Sequence, residues 1–189
     1  LYGLMLASGN DAAVAIAGEC GGMNAFVGKM NAKAAELGLM DTHFDNPNGL
    51  PSDTHYTTAH ELAKITAAAL KDPVFRQIVS TKSCTVSGHA LSNHNRLLSM
   101  YDGAIGVKTG FTRAAGRCLV SAAERNGRTI IAVTLNDPND WNDHMEMLDA
   151  GFAQYSEVTL HKAGDTIANV RVFGGDTAQR VPRLHRIRA

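Results

Sequence analysis

No part of the chain approaches the roughly 20 uninterrupted apolar residues that a membrane-crossing helix needs. The longest candidate is the alanine-rich run Ala12 to Ala17, so no membrane span is expected. A dominant charge sign is also missing. Lys and Arg total 18, Asp and Glu total 18, and the net charge is +0, which leaves no overall basic field to draw the chain to nucleic acid or an anionic surface. Cysteine is scarce: Cys20, Cys84 and Cys118 are odd in number and lack CxxC spacing. Neither a disulfide framework nor a zinc ribbon is therefore indicated, and buried free thiols are expected. The 8 histidines form neither HExxH nor an i, i+4 pair, so neither a metal nor any other cofactor is expected. Gly103 to Thr109 looks superficially like a phosphate loop, but Val107 stands where that loop requires glycine before Lys108. Nucleotide binding is excluded on that motif.

What is present suits a folded domain with a small appendage. The chain has 189 residues, 44% hydrophobic and 19% charged, far from the composition of disorder. No internal repeat is visible. The chain opens Leu1-Tyr2-Gly3, without Met and without a secretory signature, and is expected to be a processed, excised or incomplete sequence. The first half reads as helical. Asn10 or Asp11 can cap a helix running to Gly21-Gly22, and Phe26, Val27, Met30, Ala34 and Leu37 fall at helical spacing before Gly38. A turn-rich surface connection carrying Asn46-Pro47-Asn48-Gly49 leads to Thr58 and Glu61, a capping box. Pro73 marks the start of a short further helix.

The second half changes character. Strands are expected over Thr81 to Ser87 and Gly103 to Gly110, and Arg117 to Glu124 should pair with Arg128 to Leu135 around Asn126-Gly127. Trp141, Met145, Leu148 and Phe152 define a helix that should cover this sheet. After Tyr155, Val158, Leu160, Ile167, Val170 and Val172 suggest a second, β-rich module, and Arg180, Arg183, Arg186 and Arg188 a frayed tail.

Two short motifs carry chemistry. Lys108-Thr109-Gly110 ends a small-residue strand: an ammonium for a carboxylate, a hydroxyl to bond it, and a glycine that lets ligand backbone approach. Ser8-Gly9-Asn10 lies before a helix, a hundred residues upstream (108 − 8). Alone it is a helix cap. Together, Ser-x-Asn and Lys-Thr-Gly are two of the three elements of penicillin-recognising serine enzymes, in the right order.

The sequence from Leu1 to about Tyr155 resembles the low-molecular-weight penicillin-binding proteins, the serine-type D-alanyl-D-alanine carboxypeptidases. The resemblance extends to Leu6 through Ala13, Asn31 through Leu39, Thr42-His43-Phe44, Asn48-Gly49-Leu50, Gly106 through Thr112 and Ala115 through Val120. It implies an α+β fold, a partial β-lactamase/transpeptidase-like domain over residues 1–156 with a helical region and an antiparallel sheet. Residues 157–189 would begin a small C-terminal β-domain or tail. One departure stands out: the family's nucleophile lies in a Ser-x-x-Lys motif, and no serine here is followed three positions later by lysine. Loss of an N-terminal segment is the expectation, leaving this chain inactive alone.

The resemblance assigns Ser8 to a proton relay, Asn10 to orientation, and Lys108, Thr109 and Gly110 to the terminal carboxylate of a peptidoglycan stem peptide ending in D-Ala-D-Ala. It implies β-lactams as inhibitors and an extracytoplasmic location; from the balanced charge no nucleic-acid partner is expected. His43 and His94 read as surface or supporting groups. A class A β-lactamase would need a glutamate in a Glu-x-x-Leu-Asn setting, which is absent. A non-catalytic module that binds cell-wall peptide is the other alternative. Ser8 and Lys108 are expected to meet in one cleft. Apolar faces of the Ala12–Ala17 and Phe26–Leu37 helices are expected to lack partners, favouring marginal stability and self-association.

Overall fold

A computed structural model describes residues 1–155, Asp165 and two strand segments, Val170–Arg171 and Gln179–Arg180. The chain divides into two units, Leu1–Gln154 and Tyr155–Ala189. The first carries all the elements that build the site.

Its helical half begins one element earlier than periodicity suggests. Helix α1 spans Tyr2–Ala7 and α2 spans Asn10–Glu19. The N-cap of α2 is Gly9, and Asn10 is its first helical residue. Neither Asn10 nor Asp11 therefore caps; the Asp11 carboxylate instead accepts from the Ala12 amide at 2.8 Å. Gly21 and Gly22, both at positive φ, separate α2 from α3, Met23–Glu36. Gly38 follows the Leu37 cap at φ 68, the left-handed exit expected of a glycine there. Helix α4, Ala59–Ala69, starts at Thr58, whose hydroxyl accepts from the Glu61 amide at 3.2 Å. Only that half of the capping box forms, because the Glu61 side chain is committed elsewhere. Helix α5, Pro73–Ser80, is capped by the Asp72 carboxylate with proline in its first turn, where no amide donor is missed.

The expected strand over Thr81 to Ser87 is in fact a tight hairpin, β1 Ser83–Val86 with β2 His89–Ser92, turning at Ser87 and Gly88, both at positive φ. A short α6, Leu97–Met100, leads into an antiparallel sheet ordered β3-β4-β5: Ala104–Thr112, Gly116–Arg125 and Arg128–Thr134. Asn126 and Gly127, at φ 52 and 76, close the β4–β5 hairpin as their sequence predicts. Helix α7, Asp140–Gln154, packs on one face of the sheet, burying Leu119, Ala123, Ala132 and Leu148 with Leu97 and Tyr101. Val79 of α5 buries Val107 and Ala122 in a second cluster. A fully buried leucine such as Leu148 contributes roughly 1.5–3 kcal/mol of transfer free energy, so this apolar layer holds α7, and what α7 carries, in register with β4.

The three cysteines are free and half-buried rather than buried. In the second unit Val170–Arg171 pairs antiparallel with Gln179–Arg180. The remaining strand residues expected there, and Arg183, Arg186 and Arg188 of the tail, lie outside the described residues.

Candidate active site

Ser8 occupies the two-residue break between α1 and α2. Its backbone is left-handed, φ 57 and ψ 37, a conformation that costs a non-glycine residue energy and is concentrated at functional positions. The Gly9 amide closes back on the Gly3 carbonyl at 3.1 Å, so the turn is fixed. Its consequence is to present the Ser8 hydroxyl, with the Asn10 side chain beside it, at an exposed corner of the helical half.

Lys108 comes to that corner from β3. Its ammonium donates to Ser8 Oγ at 2.8 Å and to the Thr109 carbonyl at 2.7 Å. The two motifs thus meet across a hundred residues, in a cleft of about 580 Å³ that Asn10, Thr109 and Gly110 also line. No carboxylate pairs with Lys108 among the described residues, and burial pushes its ammonium down to about 8. A half-buried, unpaired cation beside an open strand edge is a receptor for an anion. Thr109 stands opposite Leu119, and Gly110 opposite Cys118.

The cleft also holds residues outside the two motifs. The loop residues Asn48, Gly49 and Leu50 form part of its wall. Asn46 Oδ1 organises them by accepting from the amides of Gly49 at 2.7 Å and Leu50 at 3.1 Å. The loop is tied below by Asn31, which exchanges two hydrogen bonds with the Phe44 backbone at 2.8 and 2.9 Å. Glu61 completes the support. Its buried carboxylate accepts from the Met40 and Asp41 amides and from the Thr42 hydroxyl at 2.5 Å. Burial opposes its ionisation, but these bonds outweigh that and hold its carboxyl below the ordinary value. His94 is exposed and lines the cleft, so it is nearer the site than a supporting surface role implies. His43 lies outside the cleft lining; its Nδ1 is 2.8 Å from the Thr54 carbonyl.

At the far end Arg117, Asp140 and Trp141 complete the lining. In the sequence Arg117 figured as the start of a strand and as part of the Ala115 through Val120 segment, with no role at the site. Elsewhere, Ser121 Oγ lies 2.6 Å from His144 Nδ1, the contact of a nucleophile and its base. Both residues are fully buried, so no substrate reaches them, and the pair ties β4 to α7.

Residues 1–139 match the family described as D-alanyl-D-alanine carboxypeptidase. The chain belongs to that family. It is 41% identical over 173 residues to the D-alanyl-D-alanine carboxypeptidase of Streptomyces sp. strain K15, a match covering 81% of this chain and 60% of that relative. It is 39% identical over 184 residues to D-alanyl-D-alanine carboxypeptidase DacF of Bacillus subtilis strain 168, covering 93% of this chain and 47% of that one. The crystal structure of the Streptomyces K15 DD-transpeptidase superposes with a TM-score of 0.76 at 42% identity, over 81% of this chain and 66% of that structure. This carboxypeptidase-family chain thus spans about half the length of the curated relatives it matches. Its mixed helical and antiparallel fold is the fold of the penicillin-binding neighbours. Among the described residues no helix is long and apolar enough to cross a membrane.

Proposed function

We propose that this chain supplies the recognition and proton-relay wall of a serine-type D-Ala-D-Ala carboxypeptidase, acting outside the cytoplasm on peptidoglycan stem peptides and binding β-lactams as inhibitors. The observation that carries this reading is the 2.8 Å contact between Lys108 Nζ and Ser8 Oγ, because it joins both motifs in one cleft. Lys108 holds the substrate's terminal carboxylate, Thr109 bonds it through its hydroxyl, and Gly110 leaves room for ligand backbone along the β3 edge. Ser8, whose hydroxyl both donates and accepts, relays a proton toward the leaving D-alanine nitrogen, and Asn10 orients the peptide with its amide.

The acylated serine is assigned to a Ser-x-x-Lys pair outside these 189 residues, in the stretch of the relatives' length that this chain does not span. An apolar hollow of about 630 Å³ between α4, α5 and the sheet, lined by Leu62, Ile65, Phe75 and Val120 among others, is suited to that segment. Left uncovered, it favours self-association. The expected open apolar surface on α2 and α3, where Val14 and Met23 are exposed, would add to it. Residues 1–156 form the catalytic-domain portion, and 157–189 the beginning of a C-terminal β-domain or tail.

Mass spectrometry after incubation with labelled penicillin tests the reading. The 189-residue chain should carry no covalent adduct. A longer form that includes a Ser-x-x-Lys should carry one, and Lys108→Ala in that form should acylate far more slowly while still folding. A covalent adduct on the 189-residue chain would refute the placement of the nucleophile. A non-catalytic peptide-binding module would acylate in neither form.

A further inference from the structure

We infer that Asn93 is a positioning residue for the proton relay, tying the helical wall of the cleft to the β3 wall and so setting the Ser8–Lys108 contact; this rests on the reading of those two residues above. Asn93 lies in the short connection between β2 and α6 and is not among the residues that line the cleft. It acts from behind. Its amide donates to the Lys82 carbonyl at 2.8 Å, and its Nδ2 donates to the carbonyls of Val79 at 3.2 Å and Thr81 at 3.0 Å. Its Oδ1 accepts from the Asn95 amide at 2.9 Å. The Val79 carbonyl belongs to the last turn of α5, where a helix leaves acceptors without an intrahelical donor. Asn93 supplies that donor from a different part of the chain.

The bonds lead to both walls. On the β3 side, Val79 is fully buried and packs on Val107, the residue before Lys108. A Cβ on Gly106 would lie 2.9 Å from Val79 Cγ2, so α5 and β3 are in direct contact there. On the helical side, the His94 amide donates to the Leu6 carbonyl at 3.2 Å. Leu6 is fully buried in α1, two residues before Ser8. Val79 thus places Lys108, Leu6 places Ser8, and the pair Asn93-His94 fixes one against the other. Met5 of α1 also packs on the Val79 cluster, but apolar contact brings walls together without direction. Directional bonds set the register. The contact they serve tolerates little slippage: Lys108 Nζ to Ser8 Oγ is 2.8 Å, and beyond about 3.5 Å it is no longer a hydrogen bond along which a proton can pass.

The readout is the ionisation of Lys108 in the 189-residue chain, followed by the carbon NMR shift of its Cε and assigned with Lys108→Arg. Burial holds that ammonium down to about 8; His94, Arg117 and Asp140 are the other titratable or charged side chains lining the cleft. Asn93→Ser is the deciding variant. Its hydroxyl can still accept from the Asn95 amide but is too short to serve the Val79 and Thr81 carbonyls. With the walls uncoupled, water reaches Lys108 and takes the place of Ser8 as acceptor. The midpoint should rise by at least about one pH unit toward the ordinary 10.5, with the circular dichroism spectrum unchanged. Asn93→Ala should do the same. Leu148→Val, in the other apolar layer, should loosen the fold yet leave the midpoint within about 0.3 pH unit. An unmoved midpoint in both Asn93 variants, or an equal rise in Leu148→Val, overturns the positioning role. Binding of a tripeptide ending in D-alanyl-D-alanine keeps the two failures apart. If wild type does not bind it, or Lys108→Gln binds it equally well, the reading of the cleft fails and this inference with it. Peptide binding that depends on Lys108, with a midpoint indifferent to Asn93, overturns the role of Asn93 alone.

Discussion

Acid should weaken this fold through His144. The ring is fully buried, with Nδ1 2.6 Å from Ser121 Oγ and Nε2 3.0 Å from Thr134 Oγ1. Burial pushes its pKa from 6.5 down to about 4, although Asp140, Asp137 and Asp143 pull the other way. Between those values the unfolded chain carries a proton that the folded chain does not, so stability is present above pH 6.5 and lost as pH falls toward 4. A displacement from 6.5 to about 4, at 1.36 kcal/mol per pH unit, amounts to roughly 3 kcal/mol. Against a typical total of about 5–15 kcal/mol that is a large share. Urea unfolding followed by circular dichroism at pH 7, 6, 5 and 4 measures it. His144→Gln is the control, since its amide can serve both hydroxyls and does not titrate. Surface carboxylates titrate in both proteins and cancel in the difference. The variant should start less stable at pH 7, and the gap should close by roughly 3 kcal/mol by pH 4. Parallel stability curves for the two proteins would refute the assignment. Because α7 also carries Asp140, the same acid step should loosen the Arg117 end of the cleft.

Further outcomes follow from the site. Lys108 loses its charge as pH rises through about 8, so affinity for a D-alanyl-D-alanine acid should fall about tenfold per pH unit above that value; a flat titration between pH 8 and 10 would exclude Lys108 as its partner. Gly110→Ala should melt within about 0.5 kcal/mol of wild type, since the added Cβ meets Cys118 at an ordinary 3.8 Å, yet ligand binding should drop at least about tenfold. Retained binding would show that clearance is not the glycine's role. Glu61→Gln places an amide donor against the donors of Met40, Asp41 and Thr42. Hydrogen exchange of the Met40 and Asp41 amides should accelerate at least about tenfold in that variant, and unchanged protection would mean that the carboxylate does not hold the loop.

Much of the architecture was legible because local rules carried it. Asn126-Gly127 can adopt the left-handed turn that a two-residue hairpin needs, Gly38 the left-handed exit of α3, and Thr58 the cap of α4. The steps of four, three and four from Trp141 to Phe152 put one stripe of α7 on the sheet. Both motifs also belonged to the sequence, as residue types in an order. Sequence did not reveal α1, six residues too short for a periodic pattern to stand out, nor the left-handed Ser8 that follows it. It offered Asp11 and Asn10 as caps because their side chains suit that role; the chain uses Gly9 because Ser8 is already committed to the turn. The β1–β2 hairpin was read as one strand, since Ser87-Gly88 turns without the Asn-Gly signature.

What only the tertiary structure decided is who faces whom. Lys108 and Ser8 touch because the β3 edge is set beside the α1–α2 break. Arg117 and Asp140, 23 residues apart, meet because Leu119, Ala132 and Leu148 hold α7 against β4. Glu61, written locally as a capping residue, spends its charge on a loop twenty residues upstream. In each case the partner is selected by packing at long sequence separation. Residue type fixes what a side chain can offer, and the packed apolar layers fix the distance at which the offer is taken up.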